Sequence, residues 1–160
     1  MVLGRSGSGK TFFSNKLGKI TGIEVFHLDK LYYNPDWTHA YTREDFAVFV
    51  NKIILEEEWI IDGNYSMTID ERVKRADVIV FFNIPFYKSL YFIVKRVFFP
   101  TPESPDRHEG MREKVDWSLI EHTYRYPTET VIKRISKNSS AQLYIIKNRK
   151  ESEALLASFK

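Results

Sequence analysis

The sequence contains no cysteine among its 160 residues, so disulfide bridges and cysteine-ligated zinc sites are excluded. It also lacks a long hydrophobic run: the longest, Val78–Phe82 followed by Ile84, is far shorter than the ~20 residues that cross a bilayer. No basic stretch with an apolar core, as in a secretory signal, precedes the first glycine-containing segment. Together with the length, these absences predict a single cytoplasmic domain, residues 1–160, with no membrane partner.

Charge of one sign is not in large excess, since the formal net charge is +3. The C-terminal region is mildly basic: residues 121–160 carry 8 Lys and Arg against 4 Asp and Glu. Such a bias suits nucleic acid or acidic ligands, but a solvated helix face explains it equally well. The basic stripe of a dedicated nucleic-acid-binding protein is missing. DNA therefore stays an alternative partner without support from the local sequence.

Short apolar segments alternate along the chain with segments of helical periodicity. Phe13, Leu17 and Ile20 share one helical face before the stop signal Gly22, and Thr42 is typical of a helix cap. Strands are predicted at 2–3, 25–28, 59–61, 78–84 and 143–146, and we expect the first to begin upstream of the chain. Further caps are predicted at Ser66 and Asp116, with a helix kink at Pro127. This order predicts an α/β, three-layer fold with a mostly parallel five-stranded sheet.

The segment that joins the first strand to the first helix fits the P-loop pattern G-x-x-x-x-G-K-[ST] without a mismatch. Its glycines let backbone N–H groups point at phosphate oxygens, and the following helix N-terminus adds its dipole. Lys10 would reach the terminal phosphates, and the Thr11 hydroxyl would bind magnesium. The segment therefore predicts binding of a nucleoside triphosphate with Mg²⁺. Its residues are Gly4, Arg5, Ser6, Gly7, Ser8, Gly9, Lys10 and Thr11.

Guanine specificity is not indicated, because neither Asn15-Lys16 nor Asn51-Lys52 is followed by the Asp of an Asn-Lys-x-Asp guanine reader. ATP is therefore the expected nucleotide. A mechanical ATPase would carry an apolar strand ending in Asp-Glu, which is also missing. A small-molecule kinase is the leading class. The alternatives are a nucleotide-dependent regulatory or DNA-binding protein and a domain that binds phosphate without catalysis.

Two carboxylates follow predicted strands at the edge of the sheet where ligands of such folds bind. They are Asp29 and Asp62. A carboxylate there can accept the proton of an acceptor hydroxyl or hold a magnesium-bound water, although Asp is also common in turns and caps. We expect Asp29 to activate the acceptor and Asp62 to serve magnesium together with Thr11.

Arginines near the predicted Pro-rich loop 99–115 are further candidates. Arg96 precedes this loop, and Arg107 and Arg112 lie in it. As a lid, the loop would place these cations over the triphosphate and exclude water, but an exposed charged loop fits nearly as well. Arg149, after the last predicted strand, would stack on adenine by a cation-π contact or lie on the surface.

Five segments resemble one protein family: Gly4 to Thr11, His27 to Leu31, Trp59 to Tyr65, Arg75 to Asp77, and Asp116-Trp117. That family is the adenylate-kinase-related DNA topology modulation proteins. The resemblance implies a nucleoside-kinase-like fold with five parallel strands, ATP binding and a phosphotransferase activity of unassigned acceptor. The family name suggests an alternative role in DNA topology, with little or no kinase activity.

A looser similarity concerns the second predicted strand. His27-Leu28-Asp29 followed by Tyr32-Tyr33 is similar to the acceptor-site strand of uridine kinases, whose Asp is the base. The lid motifs of adenylate kinases and the Asp-x-Asp of shikimate-type kinases are missing, so AMP and shikimate are disfavoured acceptors. Asn64 and Tyr65 would bind the acceptor or finish a turn.

Overall fold

The computed structural model of the protein describes residues 1–99, 107–108 and 115–159. In that part of the chain, strands alternate with one or more helices. The elements are β1 (Val2–Gly4), α1 (Lys10–Thr21), β2 (Val25–His27), α2 (Leu28–Tyr32), α3 (Arg43–Ile53), β3 (Ile60–Asp62), α4 (Ile69–Arg75), β4 (Val78–Phe82), α5 (Phe86–Phe98), α6 (Trp117–Tyr124), α7 (Thr128–Asn138), β5 (Gln142–Ile146) and α8 (Arg149–Ala157).

The five strands form one sheet in the order β2-β3-β1-β4-β5, and every pairing in it is parallel. The predicted α/β fold with a five-stranded sheet is therefore confirmed. The sheet was predicted to be mostly parallel, and the described strands are all parallel. Parallel strands end at the same edge of the sheet, so the residues after β1, β2 and β3 come together there. In the register of β2 with β3, His27 pairs with Asp62.

Both faces of the sheet are covered, because the strand residues alternate between two sets of helices. Val2 of β1 packs in one cluster with Phe13 of α1 and Leu155 of α8. The next residue, Leu3, packs on the opposite face with Val73 of α4 and Ile135 of α7. Helix α3 covers the β2–β3 end of the sheet through Phe46, Val50 and Ile53. These three layers exclude water from the sheet and leave its carboxyl edge open.

Several helix ends follow the local signals in the sequence. Gly22 ends α1 with φ of 78° and donates its N–H to Gly18 O, as a C-cap glycine does. Thr42 Oγ1 accepts from Asp45 N at 3.1 Å, and Asp116 Oδ1 accepts from Leu119 N at 2.9 Å. The predicted caps at Thr42 and Asp116 are thus confirmed. None of the helices within the described ranges has the length and apolar character needed to cross a membrane.

Three local predictions are wrong. Leu28 does not extend β2, since the strand ends at His27 and Leu28 begins the short helix α2. Helix α4 has its N-cap at Thr68, two residues after the predicted Ser66, and Thr68 makes no side-chain cap hydrogen bond. Pro127 does not kink one helix but separates two, because proline cannot donate the backbone hydrogen bond that would join them.

Candidate active site

The glycine loop, residues 4–11, packs so closely against neighbouring backbone that two of its positions require glycine. Gly4 has φ of 138°, and a Cβ there would lie 2.5 Å from Phe82 O at the end of β4. Gly7 has φ of 73°, and its Cβ would lie 2.4 Å from Ser89 O on α5. Only glycine combines this backbone conformation with this approach. The loop therefore delivers the N-terminus of α1 to the open edge of the sheet.

Lys10 and Arg5 fix the shape of the glycine loop in different ways. Lys10 Nζ donates to Arg5 O at 3.2 Å across the loop. The Arg5 side chain turns to the other side, where its guanidinium donates to Thr123 O at 3.3 Å and to Thr128 Oγ1 at 3.1 Å. Arg5 thus anchors the loop to α6 and α7.

Asn64 clamps the first residue of the glycine loop. Its Nδ2 donates to Gly4 O at 2.9 Å, and its Oδ1 accepts from Gly4 N at 3.2 Å. Tyr126 Oη also donates to Asn64 Oδ1, at 2.8 Å. All three bonds are to the protein itself, so Asn64 supports the loop, and the sequence-based role of acceptor binding has no support here.

Arg72 supports the backbone that follows Asp62. It is the largest side chain with no exposure to solvent, and its guanidinium donates to Gly63 O at 2.8 Å, to Asn64 O, and to Tyr65 O at 3.2 Å. Burial lowers the pKa of Arg72 to about 9, so the side chain is charged at neutral pH. The three carbonyls that it binds fix the turn that leaves β3.

Asp62 lies at the end of β3, with 4% of its surface exposed, beside the N-terminus of α1. Its Oδ2 accepts from Thr11 Oγ1 at 2.9 Å and from His27 Nδ1 at 3.1 Å. Its Oδ1 is buried and has no hydrogen-bond partner within the described part of the chain. A buried carboxylate oxygen without a donor is costly, so this atom is suited to a cation or to a water held by one.

His27 joins this buried carboxylate to helix α1. Its Nε2 lies 3.2 Å from Asn15 Oδ1, and Asn15 Nδ2 donates to Thr11 O at 2.8 Å, which orients the amide. Both ring nitrogens of His27 therefore face acceptor oxygens. The imidazole thus bridges Asp62 on β3 and Asn15 on α1.

Asp29 also lies at this edge of the sheet and is exposed. Its Oδ1 accepts from Tyr65 Oη at 2.9 Å. Burial, together with the Asp29 charge, raises the pKa of Tyr65 far above its ordinary value, so its hydroxyl remains a donor. Burial likewise raises the pKa of Tyr33. Tyr33 and Trp37, with ring centroids 5.6 Å apart, line the cleft beside Asp29.

One cleft of about 1900 Å³ unites most of the residues predicted from the sequence. Arg96 and Arg107 are half-buried in its wall. Arg149 is 83% exposed at its rim and forms an ion pair with Glu153, with Nε 2.7 Å from Oε1. Arg112 and most of the predicted lid lie outside the described residues. The predicted residues that line the cleft are Ser6, Gly7, Ser8, Gly9, Lys10, Thr11, Asp29, Asp62, Asn64, Tyr65, Arg96, Arg107 and Arg149.

The donor set near Thr11 fits magnesium bound to a nucleotide. The described ranges contain no cluster of three or more His, Cys, Asp or Glu side chains that could enclose a metal by themselves. Mg²⁺ in nucleotide sites does not need one, since it takes one or two protein oxygens, waters and phosphate oxygens. The unpartnered Asp62 Oδ1 and the Thr11 hydroxyl are oxygens of this kind.

Several residues of this site were not predicted from the sequence as parts of it, among them Asn15, His27, Arg72 and Tyr126. Asn15 lies one helical turn after Thr11, and His27 lies two residues before Asp29. Those spacings would have indicated that both point toward the cleft. Arg72 gave no local signal because its partners are backbone carbonyls, and Tyr126 gave none because its partner Asn64 is distant in the sequence.

Models of known protein families give no match to this chain, and a search of curated proteins finds no relative. The family resemblance noted in the sequence therefore stays a prediction, and the function is inferred from the residues of the site.

Proposed function

We propose that the protein is an ATP-dependent kinase that transfers the terminal phosphate to a hydroxyl of a small molecule of the nucleoside or nucleotide kind. The observation that carries this proposal is the pairing of Thr11 with Asp62 at the glycine loop. It leaves one buried carboxylate oxygen without a partner where the metal of a nucleotide would lie. Asp29, a second carboxylate on the same cleft, supplies the group that a transfer reaction needs.

The donor half of the site would bind the triphosphate. Backbone N–H groups of the glycine loop and of the first turn of α1 suit phosphate oxygens, and Lys10 supplies a positive charge beside them. Thr11 and Asp62 would hold magnesium, which neutralises charge on the phosphates when bound. Arg96 and Arg107, on the wall of the same cleft, would offset further negative charge. Arg149 at the rim is the candidate for contact with adenine.

The acceptor half would activate the attacking hydroxyl. Asp29 would accept the hydroxyl proton as the acceptor oxygen bonds to the terminal phosphorus and the bond from that phosphorus to the ADP oxygen breaks. Tyr65, which donates to Asp29 Oδ1, would fix the orientation of this carboxylate. Tyr33 and Trp37 would form the wall against which the acceptor lies.

The test has two stages, beginning with equilibrium binding of a fluorescent ATP analogue in the presence of Mg²⁺. We expect binding by the wild type and strong loss of it in Lys10→Ala. The second stage screens nucleosides, nucleotides and small metabolites for transfer of labelled phosphate from ATP, with Lys10→Ala as the control. Nucleotide binding without transfer to any acceptor would contradict the kinase, and no nucleotide binding would contradict the whole proposal.

The alternative, a nucleotide-dependent protein acting on DNA topology, has no specific support in the described part of the chain. Three arginines of the basic C-terminal region are in ion pairs: Arg125 with Glu121, Arg134 with Asp70 and Arg149 with Glu153. A salt titration of binding to duplex DNA tests it, because phosphate contacts predict a steep loss of affinity with salt. Absence of binding at low salt would remove the alternative.

A further inference from the structure

The residues around Asp62 form a closed ring of hydrogen bonds that joins α1, β2 and β3. Thr11 Oγ1 donates to Asp62 Oδ2 at 2.9 Å, and His27 Nδ1 meets the same oxygen at 3.1 Å. His27 Nε2 meets Asn15 Oδ1 at 3.2 Å, and Asn15 Nδ2 returns to Thr11 O at 2.8 Å. The ring thus begins and ends at Thr11, the residue that also belongs to the glycine loop.

The ring makes the two oxygens of Asp62 unequal. Both of the donors engage Oδ2, whereas Oδ1 is buried without a partner among the described residues. The terminal torsion of an aspartate is broad and roughly two-fold, so a carboxylate held by one donor could exchange its oxygens. Donors from two different elements, α1 and β2, define its plane and keep Oδ1 directed away from both.

We propose that His27 is a positioning residue for magnesium and that Asn15, behind it, fixes the orientation of the imidazole. The proposal rests on the proposed function, since it concerns the metal of the bound nucleotide. His27 holds Asp62 in the orientation that presents Oδ1, because its Nδ1 engages Oδ2 at 3.1 Å. Groups that orient a metal ligand in this way contribute roughly 10- to 100-fold to metal affinity.

A matched pair of variants separates the two bonds that His27 makes. In His27→Asn, the amide nitrogen takes the place of ring Nδ1, so the donor to Asp62 is kept and the bond to Asn15 is lost. In His27→Gln, the amide lies near the place of Nε2, so the contact with Asn15 is kept and the donor to Asp62 is lost. Asn15→Ala removes both hydrogen bonds of the Asn15 amide, to His27 and to Thr11 O, while leaving His27 and Asp62 in place.

The measurement is the affinity for Mn²⁺, as a probe for Mg²⁺, in the presence of a saturating non-hydrolysable ATP analogue, with free Mn²⁺ quantified by electron paramagnetic resonance. We expect His27→Gln to weaken Mn²⁺ binding by roughly 10-fold or more, with Asn15→Ala and His27→Asn affected by only a few-fold. Affinity for the analogue in the presence of a chelator should be equal in all four proteins.

The possible outcomes distinguish the two proposals. If the wild type binds neither the analogue nor Mn²⁺, the proposed function itself is wrong. If the wild type binds both and His27→Gln has the same Mn²⁺ affinity with only a lower melting temperature, His27 is a structural residue and the positioning role is wrong. If His27→Gln does not fold, equal Mn²⁺ affinities of Asn15→Ala and the wild type overturn the proposal, and a few-fold loss supports it.

Discussion

Asp62 is the last residue of β3, and Asp29 lies shortly after the neighbouring strand β2; both line the same cleft, yet their surroundings are opposite. Asp62 is 4% exposed, accepts hydrogen bonds from Thr11 and His27, and is followed by backbone that the buried Arg72 fixes. Asp29 is exposed in the short helix α2, and the Tyr65 hydroxyl donates to it.

The difference matches two different chemical tasks. A carboxylate that stays ionised beside a cation benefits from fixed donors and from exclusion of water, because electrostatic interactions are stronger there. A carboxylate that takes up a proton and releases it in each turnover needs access to acceptor and solvent. We therefore expect Asp62 to be the constant ligand and Asp29 to be the group that exchanges protons.

The largest expected effect concerns the support of the Asp62 side. Arg72→Met should lower the free energy of unfolding by about 3–5 kcal/mol, because it removes a buried charge and leaves the carbonyls of Gly63 and Tyr65 without their charged donor. Urea unfolding measures this. Arg75→Met, an exposed arginine of the same helix, is the matched control and should change it by less than about 0.5 kcal/mol. A similar small change in both variants would show that Arg72 does not fix this turn.

Asp29→Asn should separate chemistry from binding. We expect phosphate transfer to fall by at least ~100-fold, which corresponds to about 2.7 kcal/mol, while nucleotide affinity and the free energy of unfolding change little. Single-turnover transfer and binding of a fluorescent ATP analogue measure the two properties. Asp62→Asn, the companion variant, should instead weaken the Mg²⁺-dependent part of nucleotide binding. If both variants lose nucleotide affinity equally, the division of tasks between the two carboxylates is wrong.

Tyr65→Phe tests the hydrogen bond that holds Asp29. Removing a hydroxyl that donates at 2.9 Å should raise the activation free energy by about 1 kcal/mol, because Asp29 is less well oriented, and hence lower the rate of transfer by about 5-fold. Because the pKa of Tyr65 is raised, this difference should be constant across neutral and mildly alkaline pH. Tyr41→Phe, whose ring packs on Phe49, is the control and should leave transfer unchanged. Transfer that exceeds the wild-type rate in Tyr65→Phe would mean that the bond restrains Asp29 unproductively.

The fold could be predicted because its signals are local. Phe13 and Leu17 recur at helical spacing and are buried in α1. Gly22 and Thr42 are residue types that favour helix caps, so the sequence alone indicates where α1 ends and α3 begins. The errors were also local: Leu28 is apolar and follows a strand, and apolarity alone does not distinguish a strand residue from the first residue of a buried helix.

The glycine loop and Asp62 could be located for the same reason, because a motif and a strand end are visible in one segment. The ring around Asp62 could not be predicted, since it requires the register of β2 with β3 and the face of α1 that meets both. Arg72 was missed on a different ground. Arginine is almost never fully buried unless its charge is satisfied. The partners of the buried Arg72 are backbone carbonyls, which every residue has, so no residue type in the sequence indicates them.

Substitution of Asp70 has the smallest expected effect, and its effect on stability is a reference for Asp62 and Asp29. Arg134 Nε and Nη2 each lie 2.6 Å from an Asp70 oxygen, and this pair joins α7 to α4, with side chains 38% and 43% exposed. The hydrogen bonds from Arg134 lower the pKa of Asp70 below its usual value. Because the pair is exposed to solvent, we expect Asp70→Asn to cost no more than about 1 kcal/mol at pH 7.

The pH dependence has a definite sign. A carboxyl whose folded pKa is depressed contributes stability above its unfolded pKa of about 3.9, and that contribution is lost as pH falls through the folded value. The difference in urea midpoint between wild type and Asp70→Asn should therefore be constant from pH 7 to about pH 5, shrink below about pH 4, and decrease in 1 M salt. A difference that persists at pH 2 would arise from packing of the side chain. The exposed Arg134–Asp70 ion pair would then contribute less free energy than the single hydrogen bond that the Tyr65 hydroxyl donates to Asp29.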